Sequence, residues 1–290
     1  MKFLNFGSLN IDKVYTVPHF VTAGETLSSV NYAEYAGGKG LNQSIALAKS
    51  GARVYHAGKI GKDGLFLKKE LDQAGVKVDG ILEDGSVTGH AIIQVNESGE
   101  NCILLFGGAN REIEMEQVDR VLADFQVGDF LVLQNEINCV EYIIDDAHEK
   151  GITIALNPSP INASIRKLDL TKIDYLILNE LEGREITGRN EQGEILDHLL
   201  TTYNNLKVVL TLGTKGSIYR DAVQEFKQGI FEADVVDTTA AGDTFMGYFL
   251  CMVAKNGNIV EALEVASKAA SVTVSRSGAA KSIPFFDEVS

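Results

Sequence analysis

The chain has 290 residues, enough for one large α/β domain or a domain with a small appendage, and its 45% hydrophobic and 23% charged residues exclude a disordered or fibrous protein. Its 40 acidic side chains outnumber 26 basic ones, a formal net charge of −14 that repels a phosphate backbone and argues against nucleic acid as a partner. The same charge requires that any anionic ligand be met by a local positive source, such as a helix N-terminus, a few basic side chains or a metal ion.

A short apolar strand, Phe3 to Phe6, stops at Gly7. Residues 13–36 follow, rich in β-formers and turn residues. Asn42 to Ser50 reads as a helix, Val54 to Ala57 as a strand and Leu65 to Ala74 as a helix. Residues 88–110, TGHAIIQVNESGENCILLFGGAN, read as a β-hairpin turning at Glu97-Ser98-Gly99-Glu100. Beyond residue 115 the alternation becomes regular. Strands are predicted at Phe130 to Gln134, Thr153 to Leu156, Tyr175 to Leu178 and Val208 to Leu212. Helices are predicted at Val140 to Lys150, near Gly193 to Tyr203, and at roughly 242–255 and 259–275. This order implies an α/β fold with a largely parallel sheet covered on both faces. Segments 13–36 and 88–110 break the rhythm and together suggest a small sheet beside the main one, serving as a lid or as a plain edge extension. One continuous domain, 1–290, is expected.

MKFLNFGSLNID lacks an apolar run of signal-peptide length, and no segment reaches transmembrane length, so a cytoplasmic protein is expected. Cys102, Cys139 and Cys251 show no metal-site spacing and read as reduced, buried thiols.

The stretch Val235-Val236-Asp237-Thr238-Thr239-Ala240-Ala241-Gly242-Asp243-Thr244-Phe245 carries the most chemical information. Ala240, Ala241 and Gly242 are small enough for their N–H groups to approach an anion, and an apolar helix begins there. A helix N-terminus stabilises transferred phosphate, which answers the problem set by the net charge. Asp243 has two readings, a helix cap or a base that takes a proton from a substrate hydroxyl. No GxxxxGK run leads into Ser or Thr, so the phosphates would not sit on a P-loop, and Gly7-Ser8-Leu9 lacks the dinucleotide spacing.

These residues resemble the ribokinase (PfkB-type) carbohydrate kinases. Asp237 to Phe245, DTTAAGDTF, is similar to the second signature of that family, and Ala36 to Gln43, AGGKGLNQ, to the first. The likeness continues in order through Gly7 to Asp12, Gly107 to Asn110, Asn157-Pro158, Asn179 through Glu182, Thr211 to Gly216 and Ser275 to Pro284, covering essentially the whole chain. It implies a three-layer sandwich with a small β-sheet lid. It also implies an ATP-dependent sugar kinase, with ribose as the acceptor the pattern favours.

The resemblance implies a role for each matching position. Asp243 becomes the base, with Ala240, Ala241 and Gly242 as the anion hole. Asn10, Asp12, Gly38, Lys39, Asn42 and Glu136 go to the sugar, a polyol that carboxylates and amides read through directional hydrogen bonds. From the residues alone, Asn10 and Asp12 could equally be an Asx turn, Lys39 a surface lysine and Glu136 a solvated strand end. Asn179 and Glu182 fall near the phosphates and the water shell of Mg²⁺, or else form a helix cap with a first-turn acid. Thr211, Gly213, Lys215 and Gly216 resemble the nucleotide loop, with a tight turn as the plain reading. The family further suggests a K⁺ site from Asp237, Thr239, Thr273, Arg276, Gly278 and Ser282, chiefly through oxygen ligands. Thr273 stands where a small residue is common. A homodimer through the lid is expected, since unpaired strand edges tend to be covered.

Overall fold

Residues 3–6 and 130–134 are buried along their whole length, which requires apolar cover on both faces of the sheet they join. The computed structural model describes residues 1–163 and 165–289. In chain order it contains β1 (Phe3–Phe6), β2 (Asn10–Thr16), β3 (Asn31–Gly37), α1 (Lys39–Lys49), β4 (Val54–Lys59), α2 (Leu65–Gln73), β5 (Lys77–Leu82), β6 (Gly89–Val95) and β7 (Asn101–Phe106). Then come α3 (Met115–Leu122), β8 (Phe130–Gln134), α4 (Val140–Glu149), β9 (Thr153–Asn157), β10 (Tyr175–Asn179), α5 (Glu180–Thr187) and α6 (Gln192–Thr202). The chain closes with β11 (Lys207–Thr211), β12 (Ser217–Arg220), β13 (Glu225–Gln228), α7 (Ala241–Asn256) and α8 (Ile259–Val274).

Nine strands form one sheet in the order β13-β12-β11-β10-β9-β8-β1-β4-β5. It is parallel from β5 to β11, and β12 and β13 add an antiparallel edge. Successive residues of each strand serve opposite faces. Phe3, Val132, Ile177 and Val209 join α1, α2, α7 and α8 in one core, while Leu4, Leu131, Leu176 and Leu210 join α3, α4 and α6 in the other. The result is the expected three-layer α/β sandwich. β1 lies between β4 and β8, so chain direction across the sheet reverses there, and a crevice opens beyond the carboxyl ends of β1 and β8.

A second sheet of four strands, β3-β2-β6-β7, stands apart from the first. Its strands begin at Asn10, three residues ahead of the segment marked by composition, and its hairpin turns at residues 96–100. All six residues of β7 are exposed. Cys102 is therefore exposed, a correction to the expectation of buried thiols, because β7 has no layer over it; Cys139 is half-buried and Cys251 buried. Among the described residues no helix is long and apolar enough to cross a membrane.

Candidate active site

α7 is almost wholly apolar from Phe245 to Val253 and packs between α1 and α8. Gly247, one turn beyond Asp243, has no room for a side chain: a Cβ there would lie 2.5 Å from Ala46 Cβ and 2.9 Å from the Leu47 nitrogen. That close approach brings the first turn of α1 against the first turn of α7. Asp243 is consequently buried, its Oδ1 accepting from Gln43 Nε2 at 2.9 Å and its Oδ2 from Asn42 Nδ2 at 3.3 Å.

The capping reading of Asp243 does not hold. The N-cap is Ala240, in the left-handed region at φ 61°, and Asp243 lies in the helix proper. An alanine there costs about 1–2 kcal/mol relative to ordinary backbone, a strain that buys the sharp entry into α7. The first helical rung runs from Thr244 N–H to the Ala240 carbonyl at 2.8 Å. The N–H groups of Gly242 and Asp243 precede that ladder and mark the positive end of a 16-residue helix.

All six residues expected at the sugar come together at the mouth of β1 and β8. Gly38 caps α1 at φ 96°, and the Lys39 N–H donates to Glu136 Oε2 at 3.0 Å. Ser8 donates its hydroxyl to the same carboxylate oxygen and accepts from Gly40 N–H at 3.2 Å. Asn10 is buried, and its Oδ1 accepts from Asn110 Nδ2 at 2.8 Å, with Asn110 also bound to both backbone groups of Leu9. Asp12 lies on β2; burial, reinforced by the charge of Glu136, pushes its carboxyl up to about 7. For Lys39, burial pulls the ammonium down, but Asp243, Glu136 and Glu182 together outweigh it and leave it above its ordinary value. One ammonium thus sits in the field of three carboxylates drawn from separate elements. Asn42 completes the group from α1, with its Oδ1 buried and unpartnered among the described residues.

Asn179 and Glu182 form the capping box of α5. Asn179 Oδ1 accepts from Glu182 N–H at 2.9 Å, and Glu182 Oε2 accepts from Asn179 N–H at 2.9 Å. The plain reading of that pair is the observed local geometry, with the charge of Glu182 the smallest of the three that favour the Lys39 ammonium. Thr211 pairs with Asn179 across β10 and β11. Gly213, Lys215 and Gly216 make the tight turn from β11 to β12, closed by Leu212 N–H on the Gly216 carbonyl at 2.8 Å. Gly216 is at φ 91°, and a Cβ there would lie 2.0 Å from the Gln228 carbonyl oxygen.

Asp237 braces the loop before α7 against the C-terminal segment. Its Oδ1 accepts from the Thr239 N–H and hydroxyl at 2.9 and 2.6 Å, and its Oδ2 from Gly278 N–H at 3.0 Å. Burial works to raise the carboxyl, but these bonds prevail and hold it below its ordinary value. Thr273 is buried; its hydroxyl donates to the Ala269 carbonyl and accepts from the Thr244 hydroxyl, while its own carbonyl receives Arg276 N–H. The Arg276 guanidinium is turned away to Glu288 at 2.6 Å, and Ser282 donates to the Ala279 carbonyl at 2.7 Å. Asp237, Thr239 and Gly278 are therefore in direct contact, and the side chains of Arg276 and Ser282 are engaged elsewhere. The donor set of this loop pair is oxygen throughout, which suits a hard monovalent cation held by a carboxylate and backbone carbonyls.

Sequence reasoning gave no role to Ser8, Gln43, Asn110 or Gln134. Ser8, Gln43 and Asn110 stood inside recognised motifs, but a neutral amide or hydroxyl carries no chemical signal until its partner is known.

Residues 2–285 match the profile of the pfkB family carbohydrate kinases. The chain is 35% identical to a ribokinase of Staphylococcus aureus (strain COL), an alignment covering 99% of this chain and 98% of that protein. It is 29% identical to a deoxyribokinase of Salmonella typhi, over 97% of this chain and 95% of that protein. The structure of an Arabidopsis thaliana ribokinase complexed with ribose and ATP superposes with a TM-score of 0.87 at 29% identity, covering 99% of this chain and 96% of that one. With a family match across nearly its full length and a buried carboxylate at a helix N-terminus, the chain belongs to the pfkB family of carbohydrate kinases and is a phosphotransferase with an alcohol acceptor.

Proposed function

We propose that this protein is an ATP-dependent ribokinase that transfers the γ-phosphoryl group to O5 of D-ribose, with Asp243 as the base. The observation that carries this reading is the placement of Asp243: buried in the first turn of α7, excused from capping, and next to free N–H groups. Asp243 takes the proton of the attacking hydroxyl, and the free N–H groups of Gly242 and Asp243 stabilise the equatorial oxygens of the transferred group in an in-line displacement, joined by Ala241 N–H once it leaves the Thr238 carbonyl.

Asn10, Asp12, Gly38, Lys39, Asn42 and Glu136 form the acceptor pocket in this reading. A small polyol suits it, because the unpartnered Asn42 Oδ1 needs a donor and a buried orphan acceptor costs about 1–3 kcal/mol. Asp12, with its carboxyl near 7, can donate as well as accept, while Glu136 accepts. Lys39 balances the carboxylates as the hydroxyl proton moves. Asn179, Thr211, Gly213, Lys215 and Gly216 border the nucleotide in this reading, and an Arabidopsis ribokinase similar to this chain forms a complex with ATP. Glu182 would hold the hydrated Mg²⁺ that neutralises phosphate charge, since Mg²⁺ asks for few protein carboxylates and keeps its waters. Asp237 with the carbonyls of Thr239, Thr273, Arg276 and Gly278, and with Ser282, would hold K⁺, whose charge would support the anion hole from behind.

The four-stranded sheet acts as a lid that keeps water from the phosphoryl group, and its exposed β7 pairs with a second copy in a cytoplasmic homodimer. A second reading, deoxyribokinase, draws on the Salmonella relative and changes only the pocket. Comparing kcat/KM for ribose, 2-deoxyribose, fructose and adenosine at fixed ATP and K⁺ tests the proposal. Ribose is expected to lead; another acceptor ahead by about tenfold, some 1.4 kcal/mol, overturns ribose as the substrate while leaving the kinase mechanism intact.

A further inference from the structure

Behind Asp243 runs a line of buried amides that the proposed chemistry does not use. Asn5 Nδ2 donates to the Gly40 carbonyl at 3.0 Å, and Gln134 Nε2 donates to Asn5 Oδ1 at 3.1 Å. The same Gln134 nitrogen donates to Gln43 Oε1 at 2.7 Å, and Gln43 Nε2 donates to Asp243 Oδ1 at 2.9 Å. Asn5, Gln43 and Gln134 are all essentially shielded from solvent.

The orientation of each amide follows from the one before. A backbone carbonyl can only accept, so Asn5 must turn its NH₂ to Gly40 and its oxygen to Gln134. Gln134 must then present its NH₂, which leaves Gln43 to accept with its oxygen and donate with its nitrogen. The direction of the last bond is thereby set by the Gly40 carbonyl, in the first turn of α1. No flip of a single amide satisfies the line, because each reversal would set two oxygens or two NH₂ groups face to face.

We infer that the Asn5–Gln134–Gln43 relay is a positioning device that fixes Asp243 Oδ1 as a permanent acceptor, so that Oδ2 is the oxygen that receives the substrate proton. Oδ2 has the weaker hold, 3.3 Å from Asn42 Nδ2, and is the atom free to exchange partners as the hydroxyl arrives. The relay acts through Gln43 and touches no substrate. This rests on the reading of Asp243 as the base, but it makes a separate demand: Gln43 and Gln134 must work as one unit.

Gln43→Met keeps the volume of the side chain and removes the donor. Its kcat is expected to fall about tenfold, some 1.4 kcal/mol, with the KM values for sugar and ATP within about twofold. Gln134→Met leaves Gln43 bound to Asp243 but unanchored, and kcat should fall about threefold. In the double variant the losses should not multiply, and kcat should equal that of Gln43→Met, as for residues in one network. Gln43→Asn, which retracts the amide by one methylene and keeps a polar core, should behave like Gln43→Met and serves where that variant folds poorly. A kcat within twofold of wild type in whichever Gln43 variant folds, multiplying losses, or a change confined to KM each overturns the relay. Asp243 would keep its role if Asp243→Asn alone abolished turnover.

Discussion

The two sheets of this protein are built on opposite plans. In the nine-stranded sheet, β1 and β8 are buried from end to end, and each face meets a layer of helices. In the four-stranded sheet, β2 is half-buried after its second residue, β3 is largely exposed, and all of β7 is exposed, including Leu104 at 67% and Phe106 at 54%. Their difference divides the labour. The large sheet supplies the burial that fixes Asp243, Gln43 and Glu136 in place. The small sheet offers Asn10 and Asp12 from β2 but owes little of its order to the core, so what it meets decides its position.

Substitutions can break this division or sharpen it. The largest effect is expected at the rigid end. Asp243→Asn should lower kcat about 10²–10⁴-fold with sugar and ATP binding nearly intact, because the amide has nearly the same shape but cannot take the proton. The buried Asn42 amide can reorient to meet it, so thermal stability should change little. Turnover near wild type would remove Asp243 from the chemistry. Next comes the brace beneath the anion hole. K⁺ should raise kcat about tenfold over K⁺-free buffer, Na⁺ should do so poorly, and Asp237→Ala should erase the difference. Equal rates in both buffers would discard the cation site.

The exposed sheet makes smaller demands on catalysis. Leu104→Lys on β7 should convert a dimer to a monomer in sedimentation velocity without shifting the far-ultraviolet spectrum, since its side chain lies outside both cores. A wild-type chain that sediments as a monomer would refute pairing through β7. The smallest effect concerns pH. Asp12 has a folded-state pKa raised from 3.8 to about 7, so its contribution to stability is complete below 3.8 and is lost as pH rises through 7. Asp12→Asn removes that loss, and its thermal midpoint should pull ahead of wild type progressively between about pH 4 and pH 7 and then run level. A constant offset across that range would show that Asp12 titrates normally.

Much of the large sheet was legible because its strands are apolar runs and its helices keep a 3.6-residue period. β8 and β9 stand where the pattern put them, and α7 and α8 agree to within a residue or two. β12 and β13 escaped notice: SIYR and EFKQ are four residues each, too short to show a period, and they form by pairing in turn, β12 on β11 and β13 on β12. β5 was hidden by Gly80 in KVDGIL, and α3 by its many charges. At the site, Asn10, Asp12, Lys39 and Glu136 stood out only through the family resemblance, while the small residues before Asp243 were readable from their chemistry. Gln134 was not, since its strand looked like any buried strand and its amide acquires meaning only from Asn5 and Gln43.

The positive end of α7 has one more consequence. Its polarity comes from main-chain N–H groups at Gly242 and Asp243, ahead of the first helical rung. Those groups do not titrate, and reagents that acylate or glycate lysines leave them untouched. A protein that drew its phosphate affinity from a lysine cluster would lose it piecemeal as it aged chemically. If α7 holds phosphate as proposed, that attraction lasts as long as the helix does, and wear of the surface should erode solubility before it erodes the grip on phosphate.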